Sequence, residues 1–241
     1  MATIRLDLDT LKNQRDFIQT IQSHYPSSES SSSAVVSTLA ALLQIETESQ
    51  AQLTAGASSP ALKFLPSRLS VLASGTHPPD APAQEFVSRL THAAHGAAES
   101  LTCGSIVAGH TSESDEHADV GVWLGEGDYG RGKEREVLRA LGLDGWSVKQ
   151  IENIELRPPL GLPSSINIAT QTNAQGPEMD AFIAAFEQLE ERYCFFAFGG
   201  PGSGGLIACL LLGKFKATGG HSMAGNVGWC GLVGISVAAD D

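Results

Sequence analysis

Ala118–Gly142, ADVGVWLGEGDYGRGKEREVLRALG, decides the fold. Its first third is apolar and rich in β-branched and aromatic residues, as a buried strand is. Its middle is glycine-rich, and its last third places Val137, Leu138 and Leu141 on one face of a helix. The stretch therefore predicts strand, glycine loop and helix in succession. Gly125, Gly127 and Gly130 match G-x-G-x-x-G, and Gly127, Gly132 and Lys133 match most of the phosphate-loop pattern G-x-x-x-x-G-K.

Such a loop suits an anion for three reasons. Glycines let the backbone approach closely and adopt positive φ, and a helix N-terminus adds unpaired N–H groups with a partial positive charge. Arg131, Lys133 and Arg135 add formal charge at the same end. The residues expected to hold a phosphate-bearing ligand are Gly125, Gly127, Gly130, Arg131, Gly132 and Lys133. Two departures weaken the pattern. Glu134 stands where a phosphate loop carries the Ser or Thr that holds magnesium, and Glu126 and Asp128 would repel phosphate. Glu152 and Glu155 lie where a dinucleotide fold needs an acid after its next strand. Gly130-Arg131-Gly132 is similar to the pyrophosphate grip of acyl-CoA acetyltransferases over a stretch too short to name a family. The simplest reading of the loop is a glycine-rich turn with a charged helix start.

Outward from this stretch the chain divides in texture. Residues 1–100 read as a mostly helical N-terminal region. Helical spacing links Leu8, Leu11, Ile18 and Ile21, then Val35, Leu39, Leu42 and Leu43, then Phe86 through Leu101. A shorter helix is expected around Leu62, Phe64 and Leu65, with Pro66 fitting poorly in its interior. Ser27–Ser33 reads as a polar linker and Thr76–Pro82 as a stiff, proline-rich connector leading into the next helix. Residues 101–241 read as an α+β domain. Strands are expected at Ser105–His110, Asp119–Leu124, Trp146–Leu156, Ser165–Thr170, Tyr193–Phe198 and Trp229–Ala238. Pro177 opens a helix that buries Met179, Phe182, Ile183, Phe186 and Leu189. Leu206–Leu212 is an apolar run whose period does not separate helix from strand; a hairpin with the preceding strand is favoured. The fold class is thus α+β, a mixed sheet with packed helices behind a helical N-terminal region.

Composition narrows function by exclusion. The chain has 241 residues, 17% of them charged, and a net charge of −12. No basic run offers a footprint for nucleic acid or an anionic membrane. The four cysteines, at 103, 194, 209 and 230, form no C-x-x-C and no zinc spacing. The N-terminus carries no apolar signal core. The reading is a cytoplasmic protein with reduced, mostly buried thiols.

Other constellations are weaker. His110, Glu113, Asp115, Glu116, His117 and Asp119 could ligate a metal but lie in a polar connector, where acids are simply solvated. Gly202-Ser203-Gly204 is not a nucleophile elbow, and His221 in a glycine turn is no evident base. Gly200, Gly202 and Gly205 repeat the glycine theme after an apolar strand. Tyr193–Gly213 and Ala217–Ala239 lack formal charge, which raises a membrane-inserted hairpin over 193–239, but glycines and a proline interrupt both spans.

The preferred function is a soluble intracellular binding or assembly protein without a complete catalytic site. Its partners are proteins that would cover the apolar C-terminal strands, if the first helices do not. The alternatives are a small enzyme or sensor binding a nucleotide or acyl-CoA phosphate at 118–142, and a membrane-associated protein. No cofactor and no metal site is identified.

Overall fold

The computed structural model describes residues 4–6, 14–24, 29–53, 62–77, 79–109, 116–143, 148–158, 161–166, 176–200, 203–216 and 227–238. Eight strands form one mixed sheet: β1 (Ile4–Leu6), β2 (Leu62–Leu65), β3 (Ser70–Leu72), β4 (Val120–Gly125), β5 (Val148–Ile154), β8 (Glu190–Gly199), β9 (Leu206–Lys216) and β10 (Val227–Val237). Their spatial order is β1-β2-β3-β4-β10-β9-β8-β5. β3 and β4 are parallel, and the other neighbours are antiparallel. β6 (Leu156–Arg157) and β7 (Leu162–Pro163) make a separate small ribbon.

Five described helices cover the sheet: α1 (Gln14–His24), α2 (Glu29–Leu53), α3 (Ala81–Ser100), α4 (Glu134–Ala140) and α5 (Pro177–Phe186). Period-2 alternation in the strands sends side chains to opposite faces. Tyr193, Phe195, Leu210, Leu212, Val233 and Val122 pack with α1, α2 and α4. Cys194, Phe196, Cys209, Leu211, Leu232 and Trp123 pack with α3 and α5. The result is a sheet between two helical layers, an α+β fold. β8, β9 and β10 are buried on both faces, which is why their sequences are continuous apolar runs rather than alternating ones.

The expected helices around Val35, Phe86 and Pro177 are present, as is the strand–loop–helix at 118–142. The apolar run Leu206–Leu212 is strand, paired with β8 and β10.

Several expectations are corrected. Leu62, Phe64 and Leu65 lie in strand β2, not a helix. Lys63 points to solvent between buried Leu62 and Phe64, and Pro66 turns the chain into a short 3-10 turn. β1, β2 and β3 therefore add three short strands to the mostly helical region 1–100 and lie in the same sheet as β4. Of the linker read at Ser27–Ser33, Glu29–Ser33 open α2, and Ser32 is fully buried. Ser105–Gly109 is a turn rather than a strand: the carboxylate of Asp119 takes amides that a ladder would need. Ser165 and Ile166 lie in the turn after β7; the rest of that expected strand falls outside the described residues.

α2 docks at the start of β4 through one hydroxyl. Thr38 Oγ1 donates to Ala118 O at 2.6 Å, and Ala118 N–H donates back to Thr38 Oγ1 at 3.0 Å. No described helix is long and apolar enough to cross a membrane. The described residues of 193–239 form three antiparallel strands, β8, β9 and β10, rather than a helical hairpin.

Candidate functional site

β3 and β4 are parallel neighbours, so the loops that follow them emerge at the same end of the sheet. The chain then parts. After β3 it crosses to α3, on the Trp123 face; after β4 it crosses to α4, on the opposite face. Because the connections after these adjacent parallel strands leave to opposite faces, a gap is left between their loops at the carboxyl ends of the strands. Here it is a cleft of about 420 Å³. Gly75, Thr76, His77 and Pro79 line it from the β3–α3 loop, Trp123, Gly125 and Glu126 from β4 and its loop, and Val227 from β10.

Local chemistry builds both walls. In the β3–α3 loop, Thr76 Oγ1 donates to Ala73 O at 2.7 Å and tightens the turn. Asp80 then caps α3 by accepting from Ala83 N–H at 3.0 Å, with Pro82 in the first turn. On the other wall Gly125 takes φ +75°, a region that favours glycine, and turns the chain sharply off β4. At the floor lies Trp123, only 5% exposed. Gly228 on β10 makes room for its ring: a Cβ there would stand 2.4 Å from the indole.

The polar groups of the cleft are largely uncommitted. Trp123 Nε1 finds no acceptor among the described residues, and neither the Glu126 carboxylate nor His77 has a described partner. By contrast Trp229, on the other face, donates Nε1–H to Gly127 O at 3.0 Å.

Of the six residues expected to bind phosphate, Gly125 alone lines the cleft. The rest of the loop folds over Trp229 and Tyr193. Gly127 accepts from Trp229, Tyr129 O accepts from Tyr193 O–H at 2.5 Å, and Gly130 packs on the Trp229 ring. The loop's charges answer one another. Gly132 N–H donates to the Glu134 carboxylate at 2.9 Å, and Lys133 Nζ lies 3.6 Å from Asp128. Arg131 remains exposed to solvent.

Of the second glycine loop, Gly200 and Gly205 are described; Pro201 and Gly202 are not. β8 runs antiparallel to β9, β9 to β10 and β10 to β4, so this loop lies at the opposite end of the sheet from Gly125. Gly205 O accepts from Ala238 N–H beyond β10 at 2.9 Å. The two glycine loops do not meet.

Of the cluster of potential ligands at 110–119, His110, Glu113 and Asp115 lie outside the described residues, as do Trp146, His221 and Ser222. Among the described residues no group of three ligating side chains could hold a metal ion. Asp119 serves another purpose, invisible in sequence. It is fully buried, accepts from Ser105 Oγ at 2.5 Å and from Ile106 N–H at 2.7 Å, and its carboxyl is pushed up to about 6 by desolvation. His95 Nε2 donates to the backbone oxygen of Asp119 at 2.6 Å rather than to the carboxylate. Ser105, His95 and Asp119 are therefore not arranged as a catalytic triad. Burial raises the Cys194, Cys209 and Cys230 thiols far above their ordinary range, which leaves them un-ionised and inert.

Comparison of the chain with protein-family models, curated proteins and solved structures finds no match.

Proposed function

We propose that the protein binds a small organic molecule in the crevice between the β3–α3 and β4–α4 loops. One observation carries the reading: the connections after two adjacent parallel strands leave to opposite faces, and the crevice this opens has the volume of a ligand site, about 300–1,000 Å³. Rigid strands hold its floor while loops supply its rim, a common division of labour in binding sites. An assembly role ranks behind it, because α1 and α2 with α3 and α5 already cover the apolar strands that would have needed a partner.

A thermal-shift screen with cationic, neutral and phosphate-bearing compounds tests the reading. A compound at 100 times its Kd adds about 2.7 kcal/mol of stability. The expected result is a shift that His77→Trp abolishes by filling the cleft. A nucleotide or acyl-CoA shift that survives His77→Trp and disappears in the Arg131→Ala/Lys133→Ala double variant would instead place the ligand on the glycine loop. Absence of any shift would return the assembly role to first place.

A further inference from the structure

The ligand class follows from which polar groups the crevice leaves open. Trp123 is nearly buried, and its Nε1 edge faces Gly125: a Cβ there would stand 3.8 Å from Nε1. That N–H is a donor without an acceptor among the described residues. The N–H is open to the crevice, so a ligand that supplies an oxygen there takes it in place of solvent. Among the described residues of the lining, Glu126 is the only carboxylate or permanently cationic side chain, and it has no described cation. The cations nearest in sequence do not offset it. Lys133 is engaged with Asp128, and Arg131 does not line the cleft. The amide of Gly132, which an anion would seek, already donates to Glu134. Net charge of −12 adds a general bias against anions.

Resting on the crevice as the ligand site, we propose that its occupant is a small amine bearing an amide or hydroxyl oxygen. The ammonium faces the Glu126 carboxylate, and the oxygen accepts from Trp123 Nε1. A phosphate ester meets repulsion from Glu126 and finds no permanently charged cation among the described lining residues.

Ligand-observed NMR with the full chain and three probes tests this. N-acetylputrescine carries an ammonium and an amide oxygen, diacetylputrescine carries amide oxygens without charge, and inorganic pyrophosphate is the anion. N-acetylputrescine is expected to bind best. Glu126→Gln, at an exposed position, should weaken it about fivefold and leave diacetylputrescine unchanged. Trp123→Phe should weaken both and leave their ratio unchanged. If diacetylputrescine or pyrophosphate binds as well as the amine, is lost in His77→Trp and is indifferent to Glu126→Gln, the ligand class is overturned and the crevice stands. If no probe binds at about 10 mM, the ligand class is overturned, while the crevice reading stands or falls on the wider thermal-shift screen.

Discussion

Ser105 Oγ donates to Asp119 Oδ1 at 2.5 Å, and the same hydroxyl accepts from Ala108 N–H at 3.0 Å. With Ile106 N–H on the other carboxylate oxygen, the pair holds a four-residue turn against the start of β4. Gly234 on β10 leaves the space: a Cβ there would meet Ser105 Oγ at 2.3 Å. Removing Asp119 would strand three buried donors. Asp119→Ala is expected to cost at least about 3 kcal/mol, measured by urea denaturation.

The same carboxyl makes stability depend on pH. Its folded value of about 6 lies above its unfolded value of 3.8. Between these limits the folded chain holds a proton that the unfolded chain has released, so this contribution falls as pH rises from about 4 to about 6. The complete loss is on the order of 3 kcal/mol. Asp119→Asn cannot ionise. The stability of the wild-type chain relative to Asp119→Asn should therefore decline across that window and level off above it. A constant difference from pH 4 to pH 7 would show that the carboxyl titrates at an ordinary value.

Trp229 and Trp123 make a paired test of the hydrogen bonding. Trp229 Nε1–H is spent on Gly127 O, and Trp123 Nε1–H has no described acceptor. Trp229→Phe should cost about 1–3 kcal/mol, combining a lost hydrogen bond with lost packing. Trp123→Phe loses packing alone and should cost less. Melting temperatures resolve the difference, since 1 kcal/mol is worth about 2–4 °C in a chain of this size.

Lys133 should matter little to the fold. Its nitrogen lies 3.6 Å from Asp128, whose side chain is largely exposed, and its own side chain is about half exposed. Such pairs contribute about 0–1 kcal/mol, so Lys133→Ala should melt within about 2 °C of the wild-type chain. That makes it a clean probe: any ligand shift it abolishes is a binding effect and not a loss of fold.

These residues also show where sequence reading succeeds and where it stops. β8, β9 and β10 are legible because central strands buried on both faces must be apolar throughout. α3 is legible because Phe86, Leu90, Ala94 and Ala97 keep one helical face. β2 is too short for its alternation to outweigh a helical reading of Leu62, Phe64 and Leu65. Asp119 looked like one more acid in a polar connector, because burial is set by the strand that follows it. The glycine pattern at 125–133 correctly marked a strand–loop–helix, but pattern alone could not show that Glu134 and Asp128 answer its donors. The crevice itself was hidden. Its walls lie about fifty residues apart in the chain, and only the parallel pairing of β3 with β4 brings Thr76 beside Gly125.

Gly228 links the sheet to the crevice. Its missing side chain is the space that the Trp123 ring occupies, and a Cβ would stand 2.4 Å from the far end of the indole and 2.7 Å from the next ring atom. A rigid bicyclic ring between packed strands cannot yield by a small rotation, so Gly228→Ala must displace the indole or separate β10 from β4. The expected cost is about 1–3 kcal/mol, with a change in tryptophan fluorescence as the indole shifts. In a Trp123→Phe background the ring is shorter and the clash is relieved. The penalty of Gly228→Ala should then shrink by at least about 1 kcal/mol, a coupling that a double-mutant cycle measures directly. An unchanged penalty would mean that the glycine serves the backbone of β10 rather than the ring. The same displacement carries Trp123 Nε1 away from Gly125, so in an otherwise wild-type chain Gly228→Ala should also weaken whatever binds in the crevice, although residue 228 does not line it.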